Sequence, residues 1–141
     1  MKKDGLKTFD AWDHHPYYSS PADTPTSKPV TANGAPVTAV TLGNFSSLIK
    51  LVTKLYGNKR IWITEYGYQT DPPDSIVGVS WAKQAAYLKQ AFAIARANPR
   101  IDLMLWFLLK DDPDPSGWQS GLETIDGKHK PSFAAFESLT S

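Results

Sequence analysis

The 141-residue chain contains no cysteine, which excludes disulfide bonds and thiolate metal sites but leaves the cellular compartment undecided. Positive and negative charges are nearly balanced, with a formal net charge of +1. The sequence has no basic stripe and no acidic run. A chain that binds nucleic acid usually carries a basic patch. We therefore predict no nucleic-acid partner.

Long apolar runs are also missing. No stretch reaches the length of a membrane span, so we expect a soluble protein without a membrane partner. Residues 1–9 are polar and lack the apolar segment of a signal peptide. Any targeting signal, including one for secretion, would belong to a longer parent protein, and the sequence leaves the localisation unknown.

Apolar and aromatic residues are plentiful. Hydrophobic residues make up 41% of the chain and aromatic residues 12%, with five tryptophans and six tyrosines. This composition predicts a packed core, and the length predicts a single domain over residues 1–141. Aromatic rings stack on sugars in carbohydrate sites, but they also fill protein cores. Both interpretations stay open at this point.

Strand and helix patterns alternate along the chain. A short strand from Phe9 to His15 stops at Pro16, and a proline-rich loop continues to about Thr41. A helix is predicted over 45–55, with Asn44 as its N-cap and Gly57 at its end, and a buried strand follows over 61–64. The next helix is capped by Ser80 and ended by Asn98-Pro99, and it leads to a strand over 101–109 that is covered on both faces. The chain ends with a hairpin over 122–130, which has a two-residue turn at Asp126-Gly127, and a short helix from Pro131.

This alternation predicts an α/β fold built from parallel βαβ units. All the long loops follow the predicted strands, whereas the returning turns at 57–60 and 98–100 are short. Reactive groups in parallel α/β folds lie at the carboxyl ends of the strands. The candidate functional face therefore carries residues 14–17, 64–67 and 106–112.

Glu65 is the most informative residue on this face. It directly follows an apolar strand, where a charge is costly unless it is functional or paired. Tyr66 and Gly67 would let the chain turn away and leave the carboxylate exposed at the carboxyl end of the strands. The alternative is an ordinary strand-end glutamate that meets solvent or pairs with Arg60.

Other chemistries find little support in the sequence. His14 and His15 are adjacent and should point to opposite sides of a strand, and His129 should be solvated in the hairpin. No serine lies in a nucleophile motif, and no glycine-rich loop could cradle a phosphate. We therefore predict no metal site and no cofactor.

Four segments, in order, resemble a known family. Residues 61–68 read Ile-Trp-Ile-Thr-Glu-Tyr-Gly-Tyr and resemble the seventh-strand motif of the clan A (β/α)₈-barrel glycoside hydrolases, which presents the nucleophile. His15-Pro16-Tyr17 resembles the end of the sixth strand, and Trp106 matches the tryptophan that ends the eighth. The tail over 121–133 resembles the closing hairpin and last helix. The chain is most similar to the family 39-like and family 5-like cellulase or xylosidase groups over residues 9–139.

The resemblance implies a partial TIM barrel, with three βα units matching strands six to eight and a small C-terminal hairpin. It implies a glycosidase that retains configuration and acts on β-linked oligo- or polysaccharides, with Glu65 as the nucleophile. His15 and Tyr17 would orient Glu65 or bind the sugar, and Trp106 would stack beneath the sugar. Trp118 or Tyr68 would border an outer subsite.

The second catalytic carboxyl group of the family has no counterpart in the sequence. In this clan the acid/base glutamate follows an asparagine, but the chain has no Asn-Glu pair, and its only glutamates are Glu65, Glu123 and Glu137. A complete barrel needs ~250 residues. We therefore expect the isolated chain to be weakly active or inactive, and to self-associate or dock on a missing N-terminal half-barrel.

Two alternatives stay open beside a glycosidase fragment. The chain could be a non-catalytic carbohydrate-binding module that uses the same aromatic face, or a half-barrel whose main property is assembly. The sequence does not decide the sugar, the linkage, or exo versus endo action.

Overall fold

The computed structural model describes residues 8–31, 33–35 and 37–139. Outside this range lie residues 1–7, which make up most of the segment that lacks a signal-peptide pattern. Pro36 of the proline-rich loop also lies outside it. The elements are β1 (Ala11–Asp13), α1 (Ser46–Tyr56), β2 (Arg60–Tyr66), α2 (Trp81–Arg96), β3 (Ile101–Trp106) and α3 (Pro131–Glu137).

The three strands form one parallel sheet in the order β1-β2-β3. Ala11 lies opposite Arg60, and Ile61 lies opposite Ile101. The prediction of an α/β fold with three parallel strands is confirmed. Among the described residues β2 is the central strand, so the residues that end it lie between both neighbouring strands. No helix in the described part of the chain is long and apolar enough to cross a membrane.

Helix α1 begins later than predicted. A 3₁₀ turn at Leu42–Asn44 precedes it, and the Asn44 side-chain oxygen accepts a 2.8 Å hydrogen bond from the backbone N–H of Thr41. Asn44 therefore stabilises the preceding turn, and the prediction that it caps α1 is wrong. The end of the helix was predicted correctly, since Gly57 follows Tyr56 with a positive φ of 82°.

Helix α2 begins at the predicted cap, where Ser80 Oγ accepts from the backbone N–H of Lys83. Its most buried polar residue, Gln84, was not anticipated. The Gln84 amide nitrogen donates to backbone carbonyl oxygens of Tyr68, Ser120 and Gly121. Gln84 also accepts a 2.6 Å hydrogen bond from Ser132. One buried amide thus joins α2 to α3 and to the loops after β2 and β3.

The C-terminal hairpin is present as an antiparallel bridge between Glu123 and His129. Its loop is one residue longer than predicted, because Thr124 N–H bonds to the Lys128 carbonyl and leaves three residues between them. Gly127 takes the left-handed conformation with φ 80°, which closes a three-residue loop. His129 is largely exposed as expected, and it pairs with Glu123 at 3.1 Å.

The core lies on one side of the sheet. Ile61 and Ile63 are fully buried in one apolar cluster with Leu48 and Val52 of α1. The other face is open: Trp62 is 44% exposed and Leu105 is 45% exposed. The expectation that β3 is covered on both faces is wrong for the described chain. The reason is that α1 and α2 join the cluster of Ile61 and Ile63 on the covered face, whereas α3 packs against α2.

Candidate active site

A β-bulge places the carboxylate of Glu65. Ile63 pairs with Met104 and Tyr66 pairs with Trp106, so β2 has two residues between these pairs where β3 has one. Successive side chains of a regular strand point to opposite faces, and an extra residue re-aims them. Thr64 and Glu65 consequently both reach one side chain, His15. Glu65 lies within β2, one residue before its end, rather than directly after the strand.

Two side chains from the segment after β1 hold Glu65. The Tyr17 hydroxyl donates to Glu65 Oε2 at 3.4 Å, and His15 Nδ1 lies 3.4 Å from the same oxygen. The Glu65 side chain is 35% exposed, so the carboxylate is open to a ligand. Arg60 does not pair with Glu65, because its guanidinium Nε bonds to Asp102 at 2.7 Å. This hydrogen bond raises the pKa of Arg60 and lowers that of Asp102.

Tyr17 belongs to an aromatic wall beside Glu65. Its ring stacks with Tyr66 at 6.3 Å between centroids and tilts against Trp118 at 5.2 Å. Trp118 in turn meets Phe107 edge to face at 5.6 Å. Burial raises the pKa of Tyr17, and the nearby Glu65 raises it further. The hydroxyl therefore stays a hydrogen-bond donor at neutral pH, and Trp118, which is 40% exposed, offers a free ring surface.

Trp106 ends β3, as the family resemblance implied, and packs against the same wall. The predicted strand over 101–109 is therefore three residues too long. Its indole N–H donates to the Ser120 carbonyl oxygen at 2.8 Å, and its ring meets Tyr66 edge to face. The side chain is partly buried, so only part of the ring can meet a ligand. The hydrogen bond fixes the plane of the ring relative to the loop that carries Trp118.

Tyr68 does not face the site, contrary to expectation. The residue is fully buried, its ring stacks on Tyr18 at 4.5 Å, and its hydroxyl donates to the Asp23 carbonyl oxygen. Tyr18 and Asp23 belong to the proline-rich loop, which covers Tyr68. Tyr68 thus presents no surface to a sugar, and we leave it out of the site.

Gly67 is required by close packing. A Cβ atom at this position would lie 2.7 Å from the carbonyl oxygen of Phe107 and 3.3 Å from Ser120 Cβ. Any larger residue would push β2 away from the segment that follows β3. The sequence suggested a turn at Gly67, but the structure shows an approach of two backbones.

Two residues of the site were missed by sequence reasoning. Thr64 Oγ1 donates to Asp13 Oδ1 at 2.8 Å, and His15 Nε2 lies 2.9 Å from the same hydroxyl. Thr64 lies in the predicted segment 64–67, and Asp13 ends β1 directly before the predicted segment 14–17, which was the available signal. A polar residue at a strand end is common, so only the contact between the two neighbouring strands reveals the link.

The remaining titratable residues lie elsewhere. His14 points to the other side of the strand, as predicted, where its Nε2 lies 3.1 Å from the Val40 carbonyl oxygen. Glu123 belongs to the hairpin, where it contacts His129 and Lys110. Within the described ranges no cluster of three His, Cys, Asp or Glu residues could hold a metal ion.

Comparison with known proteins gives this geometry a context. A sequence profile described as a glycosyl hydrolase catalytic core matches residues 37–136. No curated protein sequence matches the chain at a significant level. A family 39 glycoside hydrolase from Bacteroides cellulosilyticus WH2 is 25% identical with a TM-score of 0.64, over 90% of this chain and 26% of that one.

Two β-glucuronidases share the fold. The enzyme from Bifidobacterium dentium, solved with coumarin-3-O-glucuronide, is 16% identical with a TM-score of 0.62, over 98% of this chain and 22% of its own. The enzyme from Ruminococcus gnavus is 20% identical with a TM-score of 0.54, over 68% of this chain and 18% of its own. The chain therefore spans about a quarter or less of each of these proteins.

Proposed function

The chain belongs to the glycosyl hydrolase catalytic core family, and from this premise we propose that it is the nucleophile-bearing part of a retaining β-glycosidase, with Glu65 as the nucleophile. One observation carries the proposal: Glu65 Oε2 lies 3.4 Å from both the Tyr17 hydroxyl and His15 Nδ1, at the carboxyl end of the central strand. Active sites of parallel barrels lie at this end of the strands.

The chemistry follows the two-carboxylate scheme. The Glu65 carboxylate attacks the anomeric carbon and forms a glycosyl ester, while a carboxylic acid ~5–5.5 Å away protonates the departing oxygen. Water then hydrolyses the ester with the same acid acting as base. Tyr17 and His15 hold Glu65 in one orientation, so that little rotamer freedom is lost at the moment of attack.

The aromatic wall supplies the sugar contacts in this proposal. Trp118 offers an exposed ring next to Tyr17, and Trp106 closes the end of β3. An oligo- or polysaccharide with β-linkages would stack on these rings and place its scissile bond over Glu65. The glucuronidases act on glucuronides, but their low identity leaves the sugar of this chain unassigned.

We propose that the acid/base carboxyl group lies on a part of the barrel outside these 141 residues. The chain has no Asn-Glu pair, and Asp13, the carboxylate that shares His15 with Glu65, already contacts Thr64 and His15. The exposed rings and aliphatic side chains of that face, such as Trp62 and Leu105, would pack against the rest of the barrel. Without such a partner, we expect self-association.

The nucleophile can be tested without the acid. A 2,4-dinitrophenyl 2-deoxy-2-fluoro-β-glycoside carries a leaving group that departs without protonation, so only the first step is required. We expect the purified chain to gain one fluoroglycosyl group, located by peptide mass spectrometry on Glu65. Glu65→Gln should gain none.

Each other outcome counts against the proposal. A label on another residue in the wild-type chain would exclude Glu65 as the nucleophile. Binding of the glycoside without labelling would show a sugar site without nucleophilic chemistry. Absence of both binding and labelling would contradict the claim that this face holds a sugar.

The exposed Trp118 also favours a second candidate, a non-catalytic carbohydrate-binding module. In that case sugar affinity survives in Glu65→Gln, falls in the Trp118→Ala variant, and no covalent product forms in any variant. The labelling experiment therefore separates the two functions directly.

A further inference from the structure

We propose that Asp13, acting through Thr64, is a positioning residue that fixes the proton of His15 on Nε2 and so aims the other ring nitrogen at Glu65. This inference rests on the proposed function of Glu65. It goes further by assigning a role to two residues outside the catalytic motif. The contacts link four side chains in one continuous series: Asp13, Thr64, His15 and Glu65.

The first step concerns the proton of Thr64. A hydroxyl group has one hydrogen to donate, and an ionised carboxylate can only accept. Thr64 Oγ1 lies 2.8 Å from Asp13 Oδ1, so the hydroxyl hydrogen points to Asp13. The Thr64 oxygen then has only lone pairs left for a further partner.

The second step concerns the imidazole. His15 Nε2 lies 2.9 Å from Thr64 Oγ1 and 3.4 Å from Asp13 Oδ2. Both neighbours are acceptors toward this nitrogen, so Nε2 must carry a hydrogen. The tautomer of a histidine is set by the hydrogen bond of one nitrogen, which decides what the other nitrogen presents. Here both oxygens of Asp13 act on the same ring nitrogen, one directly and one through Thr64.

The third step concerns Glu65. With Nε2 committed to Thr64 and Asp13, Nδ1 faces Glu65 Oε2 at 3.4 Å, beside the hydroxyl of Tyr17. Two lone pairs would repel each other there, so one further proton between Nδ1 and Glu65 Oε2 makes the contact attractive. The titratable groups that face the ring are therefore Asp13, Glu65 and Tyr17.

The arrangement depends on the meeting of two strands. Asp13 ends β1, whereas Thr64 and Glu65 share the bulge near the end of β2. Register pairing places Asp13 opposite Trp62, two residues before Thr64. The bulge then brings Thr64 and Glu65 to the same imidazole, which a regular strand would not allow.

The test uses ¹⁵N-labelled chain and long-range ¹H–¹⁵N correlation spectra of the three histidines. His15 is assigned by the signal that disappears in His15→Asn. We expect the wild-type spectrum to show His15 with its hydrogen on Nε2. In Asp13→Ala and Thr64→Val, Nε2 loses its oriented acceptors, and the population should shift toward the Nδ1–H form. Thr64→Ser should retain the wild-type pattern, and Asp10→Ala, at an exposed position nearby, should not change it.

A kinetic readout complements the spectra. Under saturating fluoroglycoside we expect Asp13→Ala to slow labelling of Glu65 by about tenfold or more, because misorientation of a reacting group carries losses of this order. The concentration for half-maximal labelling should change little. Backbone amide spectra of α2 show whether each variant keeps its fold.

The outcomes separate this inference from the proposed function. A wild-type His15 with its hydrogen mainly on Nδ1, or a tautomer unchanged in both Asp13→Ala and Thr64→Val, would overturn the inference. Failure of Glu65 to be labelled in the wild-type chain would instead remove the proposed function. The tautomer result is measured on the unreacted chain and does not depend on that failure.

Discussion

Lys130 Nζ lies 2.7 Å from Asp111 Oδ1 in a fully buried ion pair that ties the start of α3 to the loop after β3. The ammonium group also donates to Thr70 Oγ1 and to the Gln119 carbonyl oxygen. Burial lowers the pKa of Lys130, and Asp111 acts in the opposite direction. Gln119 precedes Ser120 and follows Trp118, so the pair fixes the loop that carries the aromatic wall.

We expect Lys130→Met to lower the free energy of unfolding by roughly 3–5 kcal/mol, because it leaves the Asp111 carboxylate buried without its cation. Urea unfolding followed by tryptophan fluorescence measures the change. Lys89→Met, at an exposed position of α2, should change the stability by less than about 0.5 kcal/mol. Equal stabilities of the two variants would show that the ion pair contributes little.

Alkaline titration tests the environment of Tyr17. Burial raises the pKa of Tyr17, Tyr18, Tyr66 and Tyr68 above the ordinary value of 10.0. In the unfolded chain these groups lose their protons near pH 10, so the stability they contribute is present below pH 10.0 and is lost as the pH rises through the folded values. Tyrosinate absorbance should show four late-titrating tyrosines, and unfolding should accompany their ionisation.

Glu65→Gln should lower the pKa of Tyr17, because the substitution removes the negative charge beside the hydroxyl. Subtracting the titration of the double variant Glu65→Gln, Tyr17→Phe from that of Glu65→Gln isolates the signal of Tyr17. Glu123→Gln, in the hairpin, should leave the titration of Tyr17 unchanged. A Tyr17 pKa that is equal in the wild-type and Glu65→Gln chains would mean that the 3.4 Å contact does not persist in solution.

Trp118→Ala should weaken sugar binding by up to about tenfold, in line with the ~0.5–1.5 kcal/mol of favourable ring stacking. Titration with a β-linked oligosaccharide, followed by amide chemical shifts of residues 64–67, measures the affinity. Trp62→Ala is the matched control, because Trp62 is similarly exposed but lies earlier on β2. Equal losses in both variants would place the sugar along the sheet rather than on the aromatic wall.

The open face of the sheet should drive self-association of the isolated chain. Leu105→Lys places a charge on this face and should shift sedimentation toward the monomer at high protein concentration. Leu51→Lys is the control, since Leu51 is 51% exposed on α1, on the helical side. A wild-type chain that remains monomeric at the highest concentration would contradict the expectation.

Local sequence patterns were sufficient for the order of strands and helices, for three of the helix ends and for the nucleophile candidate. The α2 cap at Ser80, the end of α1 at Gly57 and the Pro131 start of α3 were all predicted, because capping depends on residues within one turn. The alternation of strand and helix patterns along the chain predicted the parallel sheet. Glu65 was singled out as a charge next to an apolar strand, and its role as nucleophile stays a proposal.

The tertiary structure decided what depends on contacts between distant segments. The bulge in β2, the burial of Tyr68 under the proline-rich loop and the close packing of Gly67 against Phe107 leave no local trace in the sequence. The same holds for the link from Asp13 to Thr64 and for the buried Lys130, whose partners are far away in the chain. A sequence states which groups a strand end carries, but only the register of neighbouring strands determines which of them share a proton.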